Sequence, residues 1–132
     1  MARKLKFFWI DAVESWSSSA QSNLSILAKK YDIDLKIDTA INGEDIAQKL
    51  MLFEYDAVVM DYHMEPFRGD KYIADIRGEE HLSNIPILFY SQDSTSDLSA
   101  LVAGFNRIIV VYRPNLEDKI REIFNIGNWG SY

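Results

Sequence analysis

Five short apolar segments recur along the chain, separated by stretches that have the periodicity of amphipathic helices. A buried parallel strand is typically a continuous apolar run, whereas an edge strand alternates apolar and polar residues. Four of the segments are more continuously apolar, and residues 33–38 alternate. Strands that alternate with helices predict one parallel sheet with helices on both faces, an α/β fold. The predicted strands are residues 5–10, 33–38, 57–60, 85–90 and 108–112.

The first two segments between strands carry the signals of helices. Residues 15–31 place apolar side chains at steps of three and four, the spacing of one helix face. Asn42 is a favourable N-cap residue, and an acid follows it three positions later. The helix after this cap is expected to place Ile46, Leu50 and Phe53 on one side.

The last three predicted helices are short. Residues 70–78 form the first of them, and residues 97–103 form the second. Gly104 suits the position that directly follows a helix end. Asn115 is expected to cap the final helix, which ends near Phe124.

The predicted elements also limit the topology. Right-handed crossover connections leave few arrangements of five parallel strands, and the most economical is the doubly wound, flavodoxin-like order 2-1-3-4-5. This order places the alternating second strand at an edge. The chain has 132 residues, the size of one domain, and shows no repeat, low-complexity tract or linker. We predict one domain over residues 1–125, with residues 126–132 as a tail or the start of a linker.

Composition and charge exclude several classes of function. The chain contains no cysteine, which excludes disulfides, thiolate chemistry and cysteine-based zinc sites. The net charge is −6 and the cations cluster only at Arg3, Lys4 and Lys6, which argues against nucleic-acid binding. The apolar stretch after those cations stops at Asp11, too early for a signal peptide, and no segment is long enough to span a membrane. We therefore expect a soluble, cytoplasmic protein without membrane association.

Four chemically distinctive residues follow the ends of four predicted strands. Because ligands of open parallel sheets gather at the carboxyl ends of the strands, these side chains are expected to lie together at one edge. A carboxylate there can attack a phosphoryl group to form an acyl phosphate, and a second carboxylate can help to hold Mg²⁺. A hydroxyl and a cation can contact the phosphoryl oxygens. The four residues are Asp11, Asp61, Ser91 and Arg113, after the first, third, fourth and fifth strands.

Each of these residues also has an ordinary structural interpretation. Asp11, Asp61 and Ser91 are residue types that commonly form turns and caps. Arg113, which precedes a proline, can leave its strand with the guanidinium in solvent. The coincidence of all four at strand ends favours a functional site over four separate structural roles.

With these residues in place, the chain resembles the receiver domain of bacterial two-component response regulators. The resemblance covers residues 5–125. Asp61 stands at the place of the family's phospho-accepting aspartate, and Asp11 at the place of the leading acid after the first strand. The other matches are Met64 and Gly69 in the loop after Asp61, Ser91 at the family's Ser or Thr, and Arg113-Pro114 where receivers have Lys-Pro.

The resemblance implies a function and a set of partners. Asp61 would accept a phosphoryl group from a histidine kinase or a phosphotransfer protein, with Ser91 and Arg113 at the phosphoryl oxygens. Mg²⁺ would be held by Asp11, Asp61 and the backbone carbonyl of His63. A receiver is not an enzyme with a separate substrate, and at most it catalyses its own phosphotransfer and dephosphorylation. The surface around the fourth helix and fifth strand would meet a downstream protein partner, and homodimerisation through the fourth and fifth helices stays open.

Several positions depart from the family pattern, so the resemblance is to an atypical receiver. Ala12 stands where receivers usually carry a second acid, and the loss of one carboxylate is expected to weaken Mg²⁺ binding. The gross attraction between two unit charges about 4 Å apart is roughly 4 kcal/mol at an effective dielectric constant near 20. Arg113 replaces a compact lysine with a longer, planar cation. Glu65 replaces proline, with Pro66 shifted by one position, and Val110 replaces the usual switch aromatic.

These departures leave other functions open. A pseudo-receiver would use the same fold as a protein–protein interaction module without phosphorylation, and Arg113 can form a standing salt bridge to Asp61 in place of lysine and metal. A haloacid-dehalogenase-type phosphatase needs Asp-x-Asp after the first strand, but the sequence there reads Asp11-Ala12-Val13. A flavodoxin needs a phosphate-binding loop at the same point, and the serines at residues 17–19 come too late in the chain.

Overall fold

Five parallel strands form one sheet in the computed structural model, which describes residues 3–11, 14–64, 67–91 and 95–127. The strand order is β2-β1-β3-β4-β5, as the flavodoxin-like prediction requires. The predicted strand limits are correct to within two residues. The strands are β1 (Arg3–Ile10), β2 (Ile33–Ala40), β3 (Ala57–Asp61), β4 (Ile87–Ser91) and β5 (Ile108–Tyr112).

Helices connect the strands in the predicted sequence order. Along the described part of the chain, none of them is long and apolar enough to cross a membrane. They are α1 (Glu14–Lys30), α2 (Ile46–Leu50), α3 (Gly69–Arg77), α4 (Thr95–Leu101) and α5 (Leu116–Phe124), with short 3-10 helices at Glu80–Leu82 and Arg113–Asn115.

The sheet is buried on both faces, because side chains along each strand point alternately to opposite sides. Phe7 and Trp9 of β1 pack in the core beneath α1 and α5, which we call the α1/α5 face. Phe8 and Ile10 pack beneath α2, α3 and α4, which we call the α2/α3/α4 face. All four side chains are 5% exposed or less. Burial of each such side chain stabilises the fold by about 1.5–3 kcal/mol.

The second helix is shorter than the sequence predicts. The side-chain oxygen of Asn42 accepts a hydrogen bond from the backbone N–H of Glu44 at 3.0 Å. This local turn competes with helix formation, and α2 begins only after Asp45, whose φ of 55° is left-handed. Asn42 is therefore not the N-cap. Phe53 lies beyond the helix end and is 56% exposed, so its predicted place on the buried helix face is also wrong.

Two other predicted helix ends differ from the structure. Asn115 does precede α5, but the 3-10 helix before it fixes its backbone and its side chain makes no capping hydrogen bond with a described residue. Gly104 lies beyond the end of α4 at Leu101, and among the described glycines only Gly127 has a positive φ. Gly104 is therefore not a left-handed helix terminator. Ile126 is fully buried and packs on the α1/α5 face, one residue past the predicted domain limit.

The strand register brings several carboxyl ends to one edge of the sheet. Ile10 of β1 is paired with Met60 of β3, so the next residue of each strand continues side by side. Tyr90 of β4 is paired with the last residue of β3, and Ser91 is paired with Tyr112 of β5. We call this edge, which carries the ends of β1, β3, β4 and β5, the carboxyl rim.

Candidate functional site

Three of the four predicted site residues meet at the carboxyl rim as buried side chains. Asp11 and Asp61 directly follow the paired residues of β1 and β3, and Ser91 ends the neighbouring strand. Their exposed fractions are 3%, 4% and 1%, respectively. Polar groups are rarely buried to this degree unless they have partners. The rim is therefore the place in this fold where a functional site is expected.

The Asp61 carboxylate has an unusual electrostatic environment. Its pKa is raised from 3.8 to about 6, chiefly by burial and in smaller part by the charge of Asp11. The backbone N–H of His63 donates to Asp61 Oδ1 at 3.1 Å and lowers the pKa, as do the charges of the His63 ring and of Arg113. The cost of burial exceeds these favourable contacts. A positive charge bound nearby would therefore stabilise the ionised form of the Asp61 carboxylate.

A hydrogen-bonded pair of aromatic residues lies beneath Asp11. The Tyr90 hydroxyl donates a hydrogen bond to Asp11 Oδ2, and Trp9 Nε1 donates to the Tyr90 oxygen at 3.2 Å. Burial and the charge of Asp11 raise the pKa of the Tyr90 hydroxyl strongly, so that it stays protonated and remains a donor. The sequence prediction treated Tyr90 only as a strand residue near the site. The available signal was the hydroxyl itself, because a tyrosine within a buried strand needs a partner for its O–H.

Arg113 lies near the rim but not in the predicted contact. Its guanidinium carbon is 4.5 Å from the centre of the Trp16 ring, a cation–π arrangement. Within the described residues, no ion pair joins Arg113 to Asp61, so the standing salt bridge considered as an alternative to lysine and metal is absent there. Its charge still lowers the pKa of Asp61, which places the guanidinium within electrostatic reach of that carboxylate.

The loop after β3 folds back closely on Asp61. The backbone N–H of Gly69 donates to the carbonyl of Tyr62 at 2.9 Å, and Met64 is buried at 2% exposure. A Cβ atom added to Gly69 would lie 2.8 Å from the Asp61 carbonyl oxygen, so this position requires glycine. The ring of His63 is partly buried, with Nδ1 3.1 Å from Nη1 of Arg68. Of the predicted departures, Ala12, Glu65 and Pro66 lie outside the described residues.

The donor set of the rim suits a hard cation. No group of three acidic or histidine side chains among the described residues is placed to hold a metal by itself. Two adjacent buried carboxylates nevertheless provide oxygen ligands, and Mg²⁺ usually takes one or two carboxylates and keeps several waters. The raised pKa of Asp61 shows that its negative charge is incompletely balanced. The residues present therefore fit a weakly held Mg²⁺.

Val110, at the position of the usual switch aromatic, is partly buried and packs on the α2/α3/α4 face. It is paired with Phe89 of β4. The neighbouring aromatic Tyr112 is 45% exposed and lies at the end of β5. Among the residues of β5, only Tyr112 is aromatic, and it lies two positions after Val110.

Solved receiver domains share this fold. The signal receiver domain of a DNA-binding response regulator (merR) from Colwellia psychrerythraea has a TM-score of 0.75 at 18% identity, covering 92% of this chain and 98% of that one. The phosphorylated cyanobacterial phytochrome response regulator RcpA has a TM-score of 0.73 at 17% identity, covering 92% and 94%. The receiver domain of the sensor histidine kinase PA1611 from Pseudomonas aeruginosa, with magnesium in its active site cleft, has a TM-score of 0.71 at 17% identity, covering 96% and 97%.

The likeness concerns the whole fold, since each of these structures covers nearly all of this chain. No protein-family model matches the sequence, and no curated protein matches it. The predicted resemblance to receiver domains and the predicted fold class are confirmed: the chain has the fold of a receiver domain.

Proposed function

We propose that this chain is an atypical receiver domain that accepts a phosphoryl group on Asp61 from a histidine kinase or a phosphotransfer protein. One observation carries the proposal. Asp11, Asp61 and Ser91 come from three different strands, yet all are buried together at the carboxyl rim. Acidic and hydroxyl side chains are seldom buried for packing alone, because each loses hydration.

The chemistry follows from the ionised form of Asp61. One carboxylate oxygen attacks phosphorus, a P–O bond forms, and the P–N bond of a phosphohistidine breaks as the imidazole takes up a proton. The pKa of about 6 leaves most of Asp61 ionised at neutral pH, so it can act as nucleophile. The hydroxyl of Ser91 and the guanidinium of Arg113 contact the phosphoryl oxygens.

Mg²⁺ belongs to this proposal as a weakly bound cofactor. Asp11, Asp61 and the backbone carbonyl of His63 would hold it, and it would offset negative charge on the phosphoryl oxygens. Asp11 and Asp61 contribute two negative charges, which repel a phosphoryl group unless a cation balances them.

The remaining partners follow from surface and charge. A downstream protein would bind the surface around α4 and β5, and a homodimer through α4 and α5 would use an overlapping surface. The net charge of −6 disfavours binding of nucleic acid.

We place the protein in the cytoplasm without membrane contact, as a signalling phosphoacceptor rather than an enzyme. We also retain residues 1–125 as one domain, with residues 126–132 as its tail or linker.

Incubation with a small phosphodonor tests the proposal. With phosphoramidate or acetyl phosphate and Mg²⁺, we expect one added phosphoryl group in the intact mass, and Asp61→Asn should abolish it. Asp75→Asn is the matched control, because Asp75 is an exposed acid on α3 that pairs with Lys71. A wild-type protein that never gains this mass, even at high Mg²⁺, would contradict the proposal.

The same experiment decides a second candidate function, a phosphorylation-independent pseudo-receiver that acts as a protein–protein interaction module. One contact favours it: the guanidinium of Arg113 is held on the Trp16 ring. A folded protein without phosphoryl uptake would support this candidate. Uptake that depends on Asp61 would exclude it.

A further inference from the structure

The hydrogen bonds beneath Asp11 have a fixed direction. The indole of Trp9 can only donate, so the Tyr90 oxygen accepts its N–H at 3.2 Å. The single proton of the Tyr90 hydroxyl is then directed to the other partner, Asp11 Oδ2. Trp9 and Tyr90 are both fully buried, so water does not compete for these bonds. The order of donation is Trp9 to Tyr90 to Asp11.

Burial of these polar groups costs free energy, which favours a functional reason for the arrangement. Tyr90 lies in β4 among residues that are all buried, and a phenylalanine there would need no hydrogen-bond partner. The hydroxyl and the indole N–H satisfy each other, and the one remaining donor meets a carboxylate at the carboxyl rim. A buried hydrogen bond to a carboxylate fixes the direction in which that carboxylate points.

The same aromatic cluster also contacts the guanidinium of Arg113, the cationic side chain near the carboxyl rim. The Trp16 ring lies 5.5 Å from the Tyr90 ring and 6.3 Å from the Trp9 ring. Its face carries the guanidinium of Arg113 at 4.5 Å. Trp9, Trp16 and Tyr90 thus contact both charged groups that flank Asp61, the anion through a hydrogen bond and the cation through a ring face.

We infer that Tyr90 is a positioning residue for Asp11. Oriented by Trp9, its hydroxyl holds the Asp11 carboxylate in one orientation beside Asp61, where the two carboxylates would bind a cation. The inference rests on the proposed function only in naming what Asp11 is positioned for. Tyr90 itself contacts no phosphoryl group and acts through Asp11. Because residue 12 is an alanine, Asp11 carries the only carboxylate directly after β1, and cation binding depends more strongly on its orientation.

Paired Tyr→Phe substitutions test this inference. Tyr90→Phe removes the hydroxyl that contacts Asp11, and Tyr55→Phe is the matched control. The Tyr55 hydroxyl donates to Asp38 at 2.6 Å, and its ring packs on the α2/α3/α4 face, away from Tyr90. Trp9→Phe is a second test variant, which removes the donor that orients the Tyr90 hydroxyl and also reduces the volume of a buried ring.

Two measurements are made on each protein. The first is the affinity for Mg²⁺ alone, followed by NMR, and the second is the ¹³Cγ signal of Asp11 in metal-free protein. We expect Tyr90→Phe to weaken Mg²⁺ binding by about tenfold or more, as is usual when a residue that orients a metal ligand is lost. The Asp11 signal should shift and broaden as its carboxylate samples several directions. Trp9→Phe should show the same changes to a smaller extent, and Tyr55→Phe should show neither.

The outcomes separate this inference from the proposed function. If Tyr90→Phe and Trp9→Phe leave the Asp11 signal and the Mg²⁺ affinity as in Tyr55→Phe, Tyr90 is merely structural and the inference is overturned. If the wild type takes up no phosphoryl group, the proposed function fails, while the Asp11 signal in metal-free protein still decides the positioning role. A fall in thermal stability without a change in the Asp11 signal also counts against the inference.

Discussion

At the scale of single residues, Asp61 bears the clearest energetic cost. Its carboxylate is 4% exposed, and burial is the main reason that its pKa rises to about 6. A carboxyl group whose pKa is higher in the folded than in the unfolded chain binds its proton more tightly in the fold. Its contribution to stability therefore falls as pH rises from the unfolded pKa, near 4, to about 6. Above that pH the ionised side chain destabilises the fold until a cation compensates it.

Asp61→Asn should therefore stabilise the metal-free protein at pH 7.5. We expect the free energy of unfolding to rise by about 1–3 kcal/mol, because one pKa unit corresponds to about 1.4 kcal/mol. Asparagine keeps an oxygen that can accept the hydrogen bond from the His63 backbone. Near pH 4 both folded proteins carry a neutral side chain at residue 61, and the difference should largely vanish.

Urea unfolding in buffer with a chelator measures this effect at both pH values. Asp75→Asn, at the exposed ion pair with Lys71, should change stability little. A variant at residue 61 that is less stable than wild type at pH 7.5 would show that the burial cost is already offset in the free protein.

Single residues were also the least predictable part of the site. Strand ends follow from the local sequence, so Asp11, Asp61 and Ser91 were predicted to meet, and the structure brings them together. The partner of Arg113 could not be predicted, because Trp16 lies on a helix far away in the chain and the contact depends on how α1 packs. The hydrogen bond from Tyr90 to Asp11 could not be predicted, because Tyr90 lies in an apolar segment and its one polar atom does not change that pattern.

At the scale of elements, the strands were easier to predict than the helices. A strand buried on both faces leaves a continuous apolar run, and each of the central strands shows one. The start of α2 depends instead on a competition between one side-chain hydrogen bond of Asn42 and a first helical turn. Such competitions differ by fractions of a kcal/mol and leave no periodic pattern.

The junction between β3 and α3 gives a test at this scale. We expect Gly69→Ala to lower the free energy of unfolding by about 1–3 kcal/mol, because the new methyl group would overlap the Asp61 carbonyl and the Phe89 ring. Since the loop is anchored to β3 at this point, phosphoryl uptake should fall as well.

Gly104→Ala is the matched control for this change. A Cβ there would meet no described atom within 4 Å, and the φ of Gly104 is not positive. This variant should be neutral, or more stable by up to about 1 kcal/mol through the loss of unfolded-state freedom. Equal effects of the two substitutions would refute the close approach at Gly69.

At the scale of the whole molecule, one parallel sheet gathers the ends of four strands while two helical layers exclude water from its faces. The strand order could be predicted from alternation and topology rules, because these depend on many residues at once. A ligand bound at the carboxyl rim contacts residues from several strands, so its binding energy is coupled to global unfolding.

Mg²⁺ should therefore raise the melting temperature of the whole protein. At one hundred times its dissociation constant, a ligand that binds only the folded state contributes about 2.7 kcal/mol. We expect this shift in wild type and in Asp75→Asn, and a much smaller shift in Asp11→Asn. Thermal denaturation with Mg²⁺, compared with sodium chloride at equal ionic strength, measures it. An undiminished shift in Asp11→Asn would place the cation elsewhere.

The three aromatic rings beneath the rim all lie on the α1/α5 face. A new charge on Asp61 would thus disturb the packing of one helical layer first, through Tyr90 and Trp16. Val110 lies on the opposite face, where it is paired with the buried Phe89 of β4. The aromatic contacts of the proposed site therefore lie on one side of the sheet, against α1 and α5.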